Sequence, residues 1–155
     1  MWKAFQRYRA LDPEARKLFE RAALLLPLVA LSLRLRGFKK TKESLEKRLR
    51  VLPPGLLRGE PAGATVERTA GSIRAGVRYG LVRPTCLAES LTLWYLLQRQ
   101  GVTTELRIGV RKMAQKFEAH AWVEFEGVAL NQSEQQHRHY AAFDSAFSNL
   151  PGASS

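Results

Sequence analysis

The sequence predicts an α+β fold in which helices come first and a small antiparallel sheet follows. Three observations carry that reading. Apolar residues recur at helical spacing as far as Leu97, strict alternation takes over at Leu106, and Glu126-Gly127 separates two alternating runs as a hairpin turn does. At 155 residues, with 45% hydrophobic and 25% charged side chains, the chain has enough material for one sizeable buried core.

The first helix is announced by Asp12-Pro13-Glu14, an N-cap, a first-turn proline and an early acid, and it continues through Phe19, Ala22, Leu26 and Val29. Pro27 is expected to bend or divide it. After Gly37 a second helix, from about Thr41 to Leu52, places Leu45, Leu49 and Leu52 on one side and Lys and Arg on the other. The run PPGLLRGEPAG, residues 53–63, is the one clear break and reads as a linker or exposed loop, so residues 1–58 form a helical N-terminal region and 64–150 a second region. Val66, Ala70, Ile73 and Val77 then give a helix that stops at Gly80, with Gly71 and Gly76 inside it as points for close helix packing.

The next helix begins at Cys86. Thr85 precedes it as an N-cap, Glu89 adds early negative charge, Leu87, Leu91, Trp94 and Leu97 keep the helical period, and Gly101 ends it in the manner of a C′ glycine. Leu106, Ile108 and Val110 alternate as a strand, and Ala119 to Phe125 alternate as another. A two-residue turn at Glu126-Gly127 sets Phe125 opposite Val128 and Trp122 opposite Asn131, whereas a three-residue turn slips the register and exchanges Asn131 for Gln132 on the His120 face. From Ser133 to Ser155 the chain is polar and then small.

Charge is unevenly spread. Residues 1–58 carry 15 Lys and Arg against 5 Asp and Glu, while the remaining 97 residues carry 10 against 9. An acidic partner, nucleic acid or a membrane surface could answer such a region, and a merely solvated helix face is the plainer account. Nucleic acid is disfavoured because the basic third lacks interleaved aromatics and any recognisable binding motif. The apolar run from Ala22 to Leu33 is about 12 residues long, short of the roughly 20 that span a bilayer, and so suits a buried or interfacial helix. One cysteine rules out an internal disulfide and fits a reducing, cytoplasmic setting; no secretory signal is legible in Met1 to Leu11. His137 and His139 are weak grounds for a metal, and no phosphate loop or zinc motif appears, so neither cofactor nor metal is expected.

The chemistry concentrates on Cys86, His120 and the amides Asn131 and Gln132. Either Cys86 or His120 alone would more often be an ordinary core residue. Together they form a thiol-hydrolase pattern. A helix N-terminus favours thiolate over thiol, a strand histidine can take and return the proton, and an amide on the next strand can fix the imidazole tautomer. The backbone N–H of Cys86 could donate to a tetrahedral oxyanion.

The frames CLAESL around Cys86, LLQRQGVTTELRIGV into the first strand and AHAWVEFEG around His120 resemble the lasso-peptide leader peptidases, transglutaminase-like cysteine proteases of ribosomal peptide maturation. The resemblance covers residues 66–133 well and implies a transglutaminase- or papain-like core in which the Cys helix packs on the sheet bearing His. It implies Cys86 as nucleophile and His120 as base. The family commonly has an acidic residue just past the hairpin, where this chain has Asn131-Gln132. It further implies a precursor leader peptide as substrate, often with threonine two residues before the cut, and an ATP-dependent macrocyclase downstream. A leader-recognition protein would be separate, since residues 1–60 lack that module's strand pattern. A transglutaminase-like acyltransferase would use the same Cys and His, and a basic adaptor on membrane or nucleic acid would use neither.

Overall fold

The computed structural model describes residues 13–51, 61–80, 83–113, 116–131 and 141–142. Three helices and a four-stranded antiparallel sheet make up this part. They are α1 (Pro13–Val51), α2 (Ala62–Tyr79), α3 (Cys86–Arg99), β1 (Glu105–Met113), β2 (Lys116–Phe125), β3 (Val128–Ala129) and β4 (Ala141–Ala142). The α+β expectation holds, with the helices first and sheet order β3-β2-β1-β4.

Helix α1 is two helices joined at a corner. Pro27 lies inside the helix without dividing it, and the only non-helical residue is Gly37, at φ 75° and ψ 175°. That conformation is nearly free for glycine and costly for side chains bearing a Cβ. The corner is tight enough for the hydroxyls of Ser32 and Thr41 to meet at 2.9 Å, although nine residues of straight helix would hold them about 13 Å apart. Beyond it, Lys42 pairs with Glu46 at 2.6 Å and stands 5.7 Å from the centre of the Trp94 ring, so this cation is engaged within the fold.

One hydrophobic cluster joins the elements. Leu18, Ala22, Val29 and Leu45 of α1, Val66, Ala70 and Ile73 of α2, half of α3, and Val102 and Val123 belong to it. Each fully buried Leu, Ile or Val contributes roughly 1.5–3 kcal/mol relative to exposure. Of the two glycines expected to permit close packing, Gly76 does so: a Cβ there would meet Leu26 Cδ1 at 2.9 Å. Gly71 has only the flexible end of Arg74 near it. Helix α3 leaves the core by the expected route, with Val102 N donating to Leu97 O and Gly101 at φ 79°.

The sheet follows the alternation and extends it. β1 and β2 pair with Gly109 opposite His120, and β2 pairs with β3 so that Phe125 faces Val128. The turn is therefore the two-residue one. Glu126 at φ 49° and Gly127 at φ 78° both take the positive φ that a type I′ hairpin needs. The tail supplies β4, which pairs Ala141 and Ala142 with Val110 and Gly109. A two-residue strand is too short for periodicity to reveal.

Candidate active site

Cys86 occupies the first helical position of α3. Thr85 caps the helix from extended geometry (φ −72°, ψ 160°), its Oγ1 accepting from Ala88 N at 3.3 Å while its carbonyl accepts from Glu89 N at 3.0 Å. The N–H groups of Cys86 and Leu87 therefore point out of the helix end, where dipole and donors together favour an anion. The thiol is free and half-buried. A reagent can reach it, and the helix holds it in place.

Glu89 stands one turn further along the same helix. Burial pushes its carboxyl above the ordinary value, and the charge of Arg74 on α2 acts the other way.

His120 lies on β2, and its cross-strand neighbour is a glycine. Gly109 brings no side chain to the face of the sheet that bears the imidazole. On the same face the Trp122 ring lies 6.4 Å from the His120 ring and within 19° of parallel. Trp122 is 1% exposed, which makes it a core wall. Its Nε1 donates to Glu124 Oε1 at 2.7 Å, Arg107 Nε donates to Glu124 Oε2 at 3.1 Å, and Arg107 Nη2 sits 2.8 Å from Glu105 Oε2. The ring beside His120 is thus anchored along two strands, and His120 Nε2 is shielded from water.

Ser90 connects the two halves of the site. Its hydroxyl donates to the carbonyl of Ala121, next to His120, at 2.8 Å, and accepts from Asn131 Nδ2 at 2.8 Å. Asn131 Oδ1 accepts from Val123 N at 2.9 Å. Cys86 is one turn from Ser90, about 6 Å along the axis. The Cys86 end of α3 and the His120 segment of β2 are therefore held at the same end of the helix–sheet contact.

The four residues singled out from the sequence fare differently. Cys86 and His120 lie on the two elements that Ser90 ties together. Asn131 lies two residues past the end of β3, and its amide bridges α3 and β2 through Ser90 and Val123. Gln132 lies outside the described residues, as do His137 and His139. Among the described residues no cluster of His, Cys, Asp and Glu is arranged to hold a metal. Ser90 was missed by sequence reasoning. Its signal was a hydroxyl in the apolar run LAESLTLWYLL, one turn after the cysteine, where a buried polar group must find a partner.

A helix-start thiol and a strand histidine on an α+β core are features that papain- and transglutaminase-like thiol enzymes share. The sequence model of the transglutaminase-like superfamily matches residues 16–144, and the chain belongs to that superfamily. No curated protein and no solved structure gives a match. Enzymes of the superfamily typically work through Cys, His and an Asp or Asn, and a domain of this kind suits a cysteine protease or an acyltransferase.

Proposed function

We propose that this protein is a cysteine peptidase that removes the leader from a lasso-peptide precursor. The observation that carries the reading is the Thr85-capped Cys86 on a helix pinned, through Ser90 and Ala121, to the strand of His120. The sequence frames around both residues support the leader-peptidase assignment within the superfamily.

The chemistry follows from these positions. His120 takes the proton of the Cys86 thiol, and the thiolate attacks the scissile carbonyl carbon. Negative charge collects on the carbonyl oxygen, where the N–H groups of Cys86 and Leu87 donate. The C–N bond breaks, the leaving amine carries off the His120 proton, and a thioester to Cys86 remains. Water, deprotonated by His120, then releases the leader acid and restores the thiol. The Asn131 amide, committed to Ser90 and Val123, braces the strand that carries His120. No metal or cofactor enters these steps.

The partners on this reading are the precursor with its leader, a separate leader-recognition protein and an ATP-dependent macrocyclase, all in the cytoplasm. The test is incubation with the precursor and leader-recognition protein encoded beside this chain, followed by mass spectrometry. A leader acid and a core peptide with a free amine are the expected products. An uncut precursor, or an acyl group passed to an added amine in place of water, overturns the peptidase reading.

A further inference from the structure

Helix α1 presents a second apolar face that the core does not use. Leu24 is 64% exposed, Leu28 51%, Leu31 52% and Leu35 72%. At 100° per residue these four, with Lys17 and Arg21, fall within an arc of about 80° on the helix surface. The opposite side is occupied by Leu18, Ala22, Leu26 and Val29, all buried. A contiguous strip of this kind marks a contact surface, whereas isolated exposed leucines do not.

The surroundings of the strip choose its occupant. From Ala22 to Leu33 the helix carries no charged residue on any side, so the rim lacks the charged flanking positions through which a helical protein partner fixes register. Cations close both ends. Lys17 and Arg21 continue the line toward the N-terminus, Arg34 and Arg36 diverge on either side of Leu35, and Lys39 and Lys40 follow the Gly37 corner; all six are exposed. Glu20 is an exposed acid near this face, and Glu14 is 3.6 Å from Arg68. A second copy in either orientation would set cationic ends against cationic ends, which like-charge repulsion opposes. A bilayer with anionic headgroups answers both features, taking the leucines below the phosphates while Lys and Arg reach them. Among the described residues no helix is long and apolar enough to cross a membrane, so the contact is with the surface.

We infer that α1 is a membrane-binding face: the Leu24–Leu35 strip seats in the headgroup region of an anionic bilayer, with its flanking Lys and Arg on the phosphates. The test is flotation of the full chain with vesicles of phosphatidylcholine alone and with vesicles of equal parts phosphatidylcholine and phosphatidylglycerol. The protein is expected to float with the anionic vesicles, to bind the neutral ones far less, and to be released progressively by salt. The pair Leu28→Ser and Leu31→Ser lowers the bound fraction about tenfold, and the pair Arg21→Gln and Arg34→Gln about as much on anionic vesicles only. Both pairs change exposed residues, and melting curves like the wild type's confirm that the variants are folded. Absence of flotation with anionic vesicles overturns the inference, as does flotation indifferent to the leucine changes. It is equally overturned if the leucine changes abolish a dimer seen by sedimentation, or binding to the leader-recognition protein, and leave vesicle binding intact.

Discussion

Cys86→Ala is expected to abolish cleavage of the precursor while leaving the melting temperature within a few degrees, since losing a half-buried thiol at a helix start removes little packing. His120→Ala should be comparably severe, and the double variant no worse than either single one, because groups that act as a unit do not contribute additively. Steady cleavage by purified Cys86→Ala would falsify the nucleophile assignment. Glu89 offers a test with a sign. Its folded carboxyl titrates above the ordinary value because burial disfavours its charge, so the stability associated with it is complete below the unfolded pKa and is lost as pH rises through the folded one. Glu89→Gln should therefore match the wild type in thermal melts near pH 4 and melt higher at pH 7; a gap that is constant across pH, or reversed, removes the explanation. That Cys86 starts a helix and His120 lies on a strand was legible from sequence, because cap, period and alternation place them. The partners of Asn131 were not, since alternation can put a side chain near a face but cannot choose between a neighbouring imidazole and a backbone N–H one residue away.

At the scale of elements, the Asn131–Ser90–Ala121 link adds hydrogen bonds to the apolar packing of helix on sheet, and it connects residues 41 and 31 positions apart. Asn131→Ala leaves Val123 N and Ser90 Oγ short of a partner, and Ser90→Ala leaves the Ala121 carbonyl and Asn131 amide so. Each should cost about 1–3 kcal/mol in denaturant unfolding. The double variant should cost less than the sum, because both remove one network. Additive costs would show the two residues to be independent. Turnover should fall with stability in both, whereas Gln132→Asp should preserve or raise turnover at unchanged stability if Gln132 orients His120. The elements themselves were largely readable: Thr85 and Gly101 bracket α3, and Glu126-Gly127 set the hairpin register. The corner of α1 was harder to place. Proline and glycine both interrupt helices, but Pro27 keeps a helical φ and Gly37 alone takes an angle that turns the chain.

At the scale of the whole molecule, the composition break at residues 53–63 divides the sequence more cleanly than the packing divides the fold. Leu18, Ala22, Val29 and Leu45 of α1 share one cluster with Ile73, Leu91 and Leu97, and the superfamily match begins at residue 16. No local signal shows this, because a hydrophobic stripe announces that a helix is covered without saying by what. If the cluster is one cooperative unit, a chain beginning at Pro61 should lose it. Removing α1 would expose the faces of α2 and α3 that it covers, including the Gly76 site against Leu26. Losing the burial of Leu18, Leu26, Val29 and Leu45 at roughly 1.5–3 kcal/mol each is comparable with the whole stability of about 5–15 kcal/mol of an ordinary domain. The truncated chain should therefore show no cooperative melting transition and no cleavage. Adding residues 13–51 back as a separate peptide should restore both in proportion to its binding. A truncated chain that melts cooperatively and cleaves the precursor at the full-length rate would show instead that α1 is an accessory laid on an already complete core.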